Sequence, residues 1–126
     1  MRVVMITTII LILFFGGALY FSHYVGVQTE GLIASINELD EVIMAKDWET
    51  GKEKLEKVKD DWNEIKGVFE TLLEHYDLDS IEVSLAKIEK YMEVQDHSLT
   101  VGEITHLKFV ISLIQKKESF SLSNLL

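Results

Sequence analysis

No aspartate, glutamate, lysine or arginine occurs between Val3 and Thr29, and nothing comparable recurs in the acidic remainder of the chain. A helix crosses the ~30 Å hydrocarbon layer with about 20 apolar residues. Val3 to Phe21 supplies that length, interrupted only by Thr7, Thr8 and small residues. The stretch therefore reads as a single membrane span at the N-terminus. A cleaved signal peptide competes with this reading, since Gly16 and Ala18 have small-x-small spacing behind Arg2. Apolar residues continue through Leu19, Tyr20, Phe21, Tyr24 and Val25, however, which is long for a signal peptide and ends in aromatic residues suited to the interface. The sequence thus favours a retained signal anchor over residues 1–27.

The cations set the expected orientation. Arg2 precedes the span, and no lysine or arginine follows it until Lys46. By the positive-inside rule the N-terminus is cytoplasmic and residues 28–126 form an extracytoplasmic domain of a single-pass cell-membrane protein. With no cysteine, that domain rests on packing rather than on disulfides. The chain's net charge is −9, and setting aside Arg2 leaves −10 on the rest. Such a surface argues against nucleic acid and anionic lipid headgroups as partners.

Helical periodicity runs through nearly all of the remainder, which contains no proline. Leu32, Ile33, Ile36, Leu39, Val42 and Ile43 recur at spacings of three and four and predict that the anchor helix continues as an amphipathic stalk, residues 28–45. Asp47 is placed to cap a second helix, 47–76. Its stripe of Leu55, Val58, Trp62, Ile65, Phe69 and Leu72 is the clearest heptad pattern in the chain and predicts a buried core. Asp79 with Glu82, and Thr100 with Glu103, have capping-box spacing; Leu78 with Val83, and Leu99 with Ile104, have that of hydrophobic staples. They predict helices over 79–95 and from 100 to 118 or beyond, with Leu122, Leu125 and Leu126 extending the last stripe. Short connections make neighbours antiparallel, so the fold class is all-α: a transmembrane helix leading into a small up-down bundle. At 1.5 Å per residue the stalk from His23 to Ala45 spans about 35 Å, whereas Asp47 to Tyr76 spans about 45 Å. A tilt of the bundle on the stalk, a bend at Gly26 or Gly31, or a break at Gly67 would relieve the mismatch, and the bend in the stalk is expected.

Chemistry is sparse. Glu74, His75, Asp77, Asp79 and Glu82 form the one dense polar cluster, and His75, Asp77 and Asp79 are its candidate metal ligands, although capping accounts for most of it. His97 and His106 lie nine residues apart with no carboxylate arranged as a third ligand. No Gly-rich phosphate loop, HExxH helix or nucleophile motif is present, so neither enzymatic activity nor a cofactor is expected. Ala18, Ser22 and Gly26 form a small-residue stripe along which another transmembrane helix can approach closely.

Asp47-Trp48-Glu49, Trp62, His75 followed by Asp79-x-Ile81, and the terminal Asn124-Leu125-Leu126 together resemble the family named domain of unknown function 4363, over essentially the whole chain. Gly51 stands where that pattern leads one to expect alanine. The resemblance implies a short, membrane-anchored bacterial protein, mainly of Gram-positive anaerobes and spore formers, and implies no activity. The expected function is a non-enzymatic accessory or protein-interaction role, through a multi-span membrane protein or self-association. The alternative is an extracytoplasmic module that binds a cation or small ligand.

Overall fold

The computed structural model describes the backbone of residues 1–72 and 75–125, and the side chains of 1–71 and 77–116. Four helices follow one another: α1 (Arg2–Met44), α2 (Trp48–Leu72), α3 (His75–Glu93) and α4 (His97–Leu125), with no strand among the described residues. Each packs beside its neighbours in the order α1–α2–α3–α4, and α4 closes the ring against α1. This is an up-down four-helix bundle.

The stalk is the first of the four bundle helices. On α1, Val25, Thr29, Leu32, Ile36, Leu39 and Ile43 are buried at alternating steps of four and three. That seam packs against the α2 stripe, where Leu55, Val58, Trp62, Ile65 and Phe69 are all buried. Ile81, Leu85, Ile88 and Met92 of α3 and Ile104, Leu107, Ile111 and Ile114 of α4 complete the core. The side chains of Leu72, His75, Tyr76, Leu122, Leu125 and Leu126 lie outside the described ones.

The expected length mismatch is resolved without a break. α1 runs unbroken through Gly26 and Gly31, and α2 through Gly67. α2 is described as far as Leu72, and Tyr76 already belongs to α3, so α2 does not reach Tyr76. Lys54 contacts Glu38 and Ser35 bonds Asp61, so the antiparallel register brings Leu72 level with the region of His23 and Tyr24, where burial on α1 begins.

Two helix starts differ from the sequence expectation. α3 begins at His75, four residues before Asp79, which is exposed within the helix. Glu82, instead of turning back to cap, accepts hydrogen bonds from the Trp62 indole (3.1 Å) and the Lys66 ammonium (2.7 Å) of α2. A charge-assisted bond between helices outweighs a local cap. α4 begins at His97, with Asp96 as its cap: the Leu99 amide donates to the Asp96 carboxylate at 3.0 Å. Thr100 is fully buried, its hydroxyl bonded to the Asp96 carbonyl, and Glu103 turns toward α3. Neither staple forms, since Val83 and Leu99 are exposed.

The corners from α1 to α2 and from α3 to α4 are built alike. Lys46 and Gln95 adopt φ of 59° and 54°, and the next amides, Asp47 and Asp96, bond back to Val42 and Tyr91 at 2.9 and 3.0 Å. These are Schellman closures without the usual glycine. In each, the aspartate that ends one closure caps the next helix, as the Thr50 amide also donates to Asp47.

Candidate functional site

The N-terminal half of α1 projects from the bundle. Its 18-residue apolar window has a mean hydropathy of 2.4 and none of it is buried in the protein, so it is long and apolar enough to cross a membrane. Thr7 and Thr8 return their hydroxyls to the carbonyls of Val3 and Val4 at 2.8 Å, so neither hydroxyl is left unmet. Ala18 and Ser22 lie one heptad before the buried Val25 and Thr29, and both are half-buried, as is Gly26. The small-residue stripe therefore extends the line that faces the bundle. His23 is exposed beside it.

Above the span, polar side chains join the helices. Lys54 and Lys57 flank Glu38, linking α1 to α2, and hold its carboxyl below the ordinary range, with the Lys54 hydrogen bond as the largest cause. Lys108 bonds Asp40 at 2.8 Å, joining α4 to α1. Lys59 reaches Glu89 at 2.7 Å between α2 and α3. Burial disfavours its charge, yet Glu89 and Glu56 more than compensate and its pKa is raised. Glu82 is held low chiefly by Lys66, and more weakly by Trp62, against a smaller opposing effect of burial. Lys66 is correspondingly raised. These contacts fix register between helices, and each residue is already committed to its partner.

One cluster has the composition of a catalytic triad. Ser84, fully buried on α3, donates to Glu103 of α4 at 2.7 Å and lies 3.1 Å from Nδ1 of His106. Glu103 approaches the same nitrogen at 3.4 Å. A triad relay places the imidazole between hydroxyl and carboxylate, one ring nitrogen to each. Here both converge on Nδ1 and the hydroxyl hydrogen is given to the carboxylate. The cluster is a polar tie between α3 and α4. Glu103 and His106 share a helix face by their spacing alone, but Ser84 joins them only through packing, and sequence reading missed it.

Among the described residues no group of three or more histidines, cysteines or carboxylates is placed to hold a metal. The His75 side chain lies outside the described ones; Asp77 is half-buried and Asp79 exposed. His97 Nε2 is buried with no hydrogen-bond partner among the described residues, at the first turn of α4. A groove of about 360 Å³ runs between α2 and α3 over Leu55 and Met92, rimmed by Lys52, Glu56, Glu89 and Glu93. Beside it Gly51 is buried, and a Cβ there would lie 2.9 Å from Ile43 Cδ1 and 3.0 Å from Met92 Cε.

The family model for Domain of unknown function (DUF4363) matches residues 19–125. The chain belongs to this family. The DUF4363 match begins at Leu19, six residues before burial begins on α1 at Val25, and ends with α4. It therefore takes in the whole bundle, including the half of α1 that packs in it, and leaves out most of the exposed apolar segment. No curated protein and no solved structure matches the chain.

Proposed function

We propose that this DUF4363 protein is a non-enzymatic, single-pass membrane accessory protein that presents its acidic bundle, outside the cytoplasm, to a protein partner. The observation that carries the reading is the continuity of α1: one helix is exposed and apolar in its first half and a core member of the bundle in its second. No flexible linker separates them, so the bundle is rigidly mounted on its anchor. A rigid mount suits a domain that must offer a surface at a set height above a membrane. The polar side chains support the same reading, because the ion pairs and the Ser84 cluster are spent on joining helices.

Arg2 before the span and the lack of any lysine or arginine until Lys46 support an extracytoplasmic bundle at the cell membrane. Protease added to intact cells should degrade the bundle and spare the span; protection until lysis would reverse the orientation. Calorimetric titration of the full chain in detergent with calcium, magnesium and zinc tests the functional class. Absence of binding is expected. A saturable isotherm at micromolar metal would replace the interaction role with a cation-binding one.

A further inference from the structure

α4 is apolar on two sides. Ile104, Leu107, Ile111 and Ile114 face the core, while Leu99, Phe109 and Leu113 stand on the other side of the helix, 50, 62 and 41% exposed. A helix with apolar residues on both sides belongs in a larger packed structure than a bundle can give it. The residues between them on the outer side are small: Gly102, Thr105 and Ser112. Gly102 has nothing within 4 Å of where a Cβ would stand.

The outer side of α4 also differs from the rest of the bundle in charge. From Ser98 to Leu113 every exposed residue is formally uncharged with histidine neutral. The titratable member, His106, is turned aside to Ser84 and Glu103. Each of the other helices carries charge among its exposed bundle positions, with Glu30 and Glu41 on α1, Glu53 and Asp60 on α2, and Lys87 and Glu93 on α3.

Neither lipid nor the chain itself can cover this patch. The Lys108–Asp40 contact sets Phe109 level with Leu39, roughly 20 Å along α1 from Tyr24 at 1.5 Å per residue, which is well above the bilayer interface. The residues after Leu113 continue α4 toward the membrane, and α2 likewise descends to Leu72 at that lower end. The occupant is therefore another protein. Charge selects which one: an acidic domain that meets its own copy through a charged face sets like charges together, whereas an uncharged face avoids that penalty. A shared membrane also holds copies of this chain in one plane and one orientation.

We propose that the outer face of α4, between Ser98 and Leu113, is a self-association surface on which a second copy of this chain packs in parallel, with Phe109 and Leu113 seated beside Thr105 and Ser112, and Leu99 beside Gly102. The proposal deepens the interaction role above and rests on it for the anchor, but not on the side of the membrane that the bundle occupies.

The absence of cysteine makes the test clean, since each variant carries one thiol. Thr105→Cys and, as a control on an exposed charged face, Glu53→Cys are expressed in the full chain and treated in native membranes with a short, membrane-permeant bismaleimide. This reagent works on either side of the membrane, so an error in orientation does not affect the result. Thr105→Cys should give a dimer of the chain with a yield at least about tenfold above Glu53→Cys, and adding Phe109→Glu should reduce it to the control level, as expected for a charge placed at an interface centre. The melting temperature of the Phe109→Glu chain should stay within a few degrees of the parent, because Phe109 is not in the core. Equal yields at the two thiols, an unchanged yield with Phe109→Glu, or a Thr105→Cys product with the mass of a different protein would each overturn the proposal.

Discussion

Trp62→Ala is the sharpest test of the core. The indole is 2% exposed, stacks edge-to-face on Phe69 with ring centroids 5.8 Å apart, and donates Nε1 to Glu82 at 3.1 Å. Truncating a buried tryptophan to alanine costs about 3–5 kcal/mol through lost burial and the cavity left behind. The lost hydrogen bond adds little, because Glu82 keeps Lys66 at 2.7 Å. For a bundle of about 100 residues, 1 kcal/mol moves the melting temperature by about 4–8 °C, so a fall of at least about 12 °C is expected. The assay is thermal unfolding of the full chain in detergent, followed by far-ultraviolet circular dichroism, in which the span contributes a constant helical baseline. Trp62→Phe keeps a ring in the site and should cost only about 1–2 kcal/mol. A loss below about 1 kcal/mol for Trp62→Ala would mean that the site is not core, and the packing argument for the α2 stripe would fail with it.

Gly67→Ala should stabilise the bundle by about 0.5–1 kcal/mol, since a helix-interior glycine is replaced and nothing lies within 4 Å of the new Cβ; chemical denaturation reads the difference. Gly51→Ala should give a smaller gain or a loss in the same assay, because the Ile43 and Met92 side-chain ends must move to admit the methyl group. Asp96→Ala should cost about 0.5–2 kcal/mol as the loss of a helix cap, whereas Asp79→Ala, exposed within α3, should be nearly neutral; equal effects would restore the start of α3 at Asp79. Glu82 has a lowered folded-state pKa, so its contribution is present above the ordinary glutamate value of 4.5 and disappears as pH falls through the lower folded value. A pH series of melting temperatures below 4.5 should therefore decline less steeply for Glu82→Gln than for the parent chain.

Local patterns in the chain determined the all-α class, the apolar N-terminal helix, the α2 stripe and the Asp47 cap, because each depends on spacing within one helix. The heptad from Leu55 to Phe69 needs a partner wherever it folds, and its burial follows from period alone. Capping was less legible. Asp79 with Glu82 and Thr100 with Glu103 have the right spacing, but a carboxylate that can reach a lysine, an indole or a buried hydroxyl on another helix gains more there than from its own helix end. Only tertiary structure could decide that competition. It likewise decided that the stalk is itself one of the four bundle helices, that Ala18 and Ser22 lie in line with the bundle core, and that Ser84 meets Glu103 and His106. The two stripes of α4 make the same point. Leu99, Phe109 and Leu113 follow helical spacing as well as Ile104, Leu107 and Ile111 do, and periodicity cannot say which side a neighbouring helix will cover. Packing against the other helices, marked by the Lys108–Asp40 contact between residues 68 apart in the chain, turns one side inward and leaves the other outside the bundle.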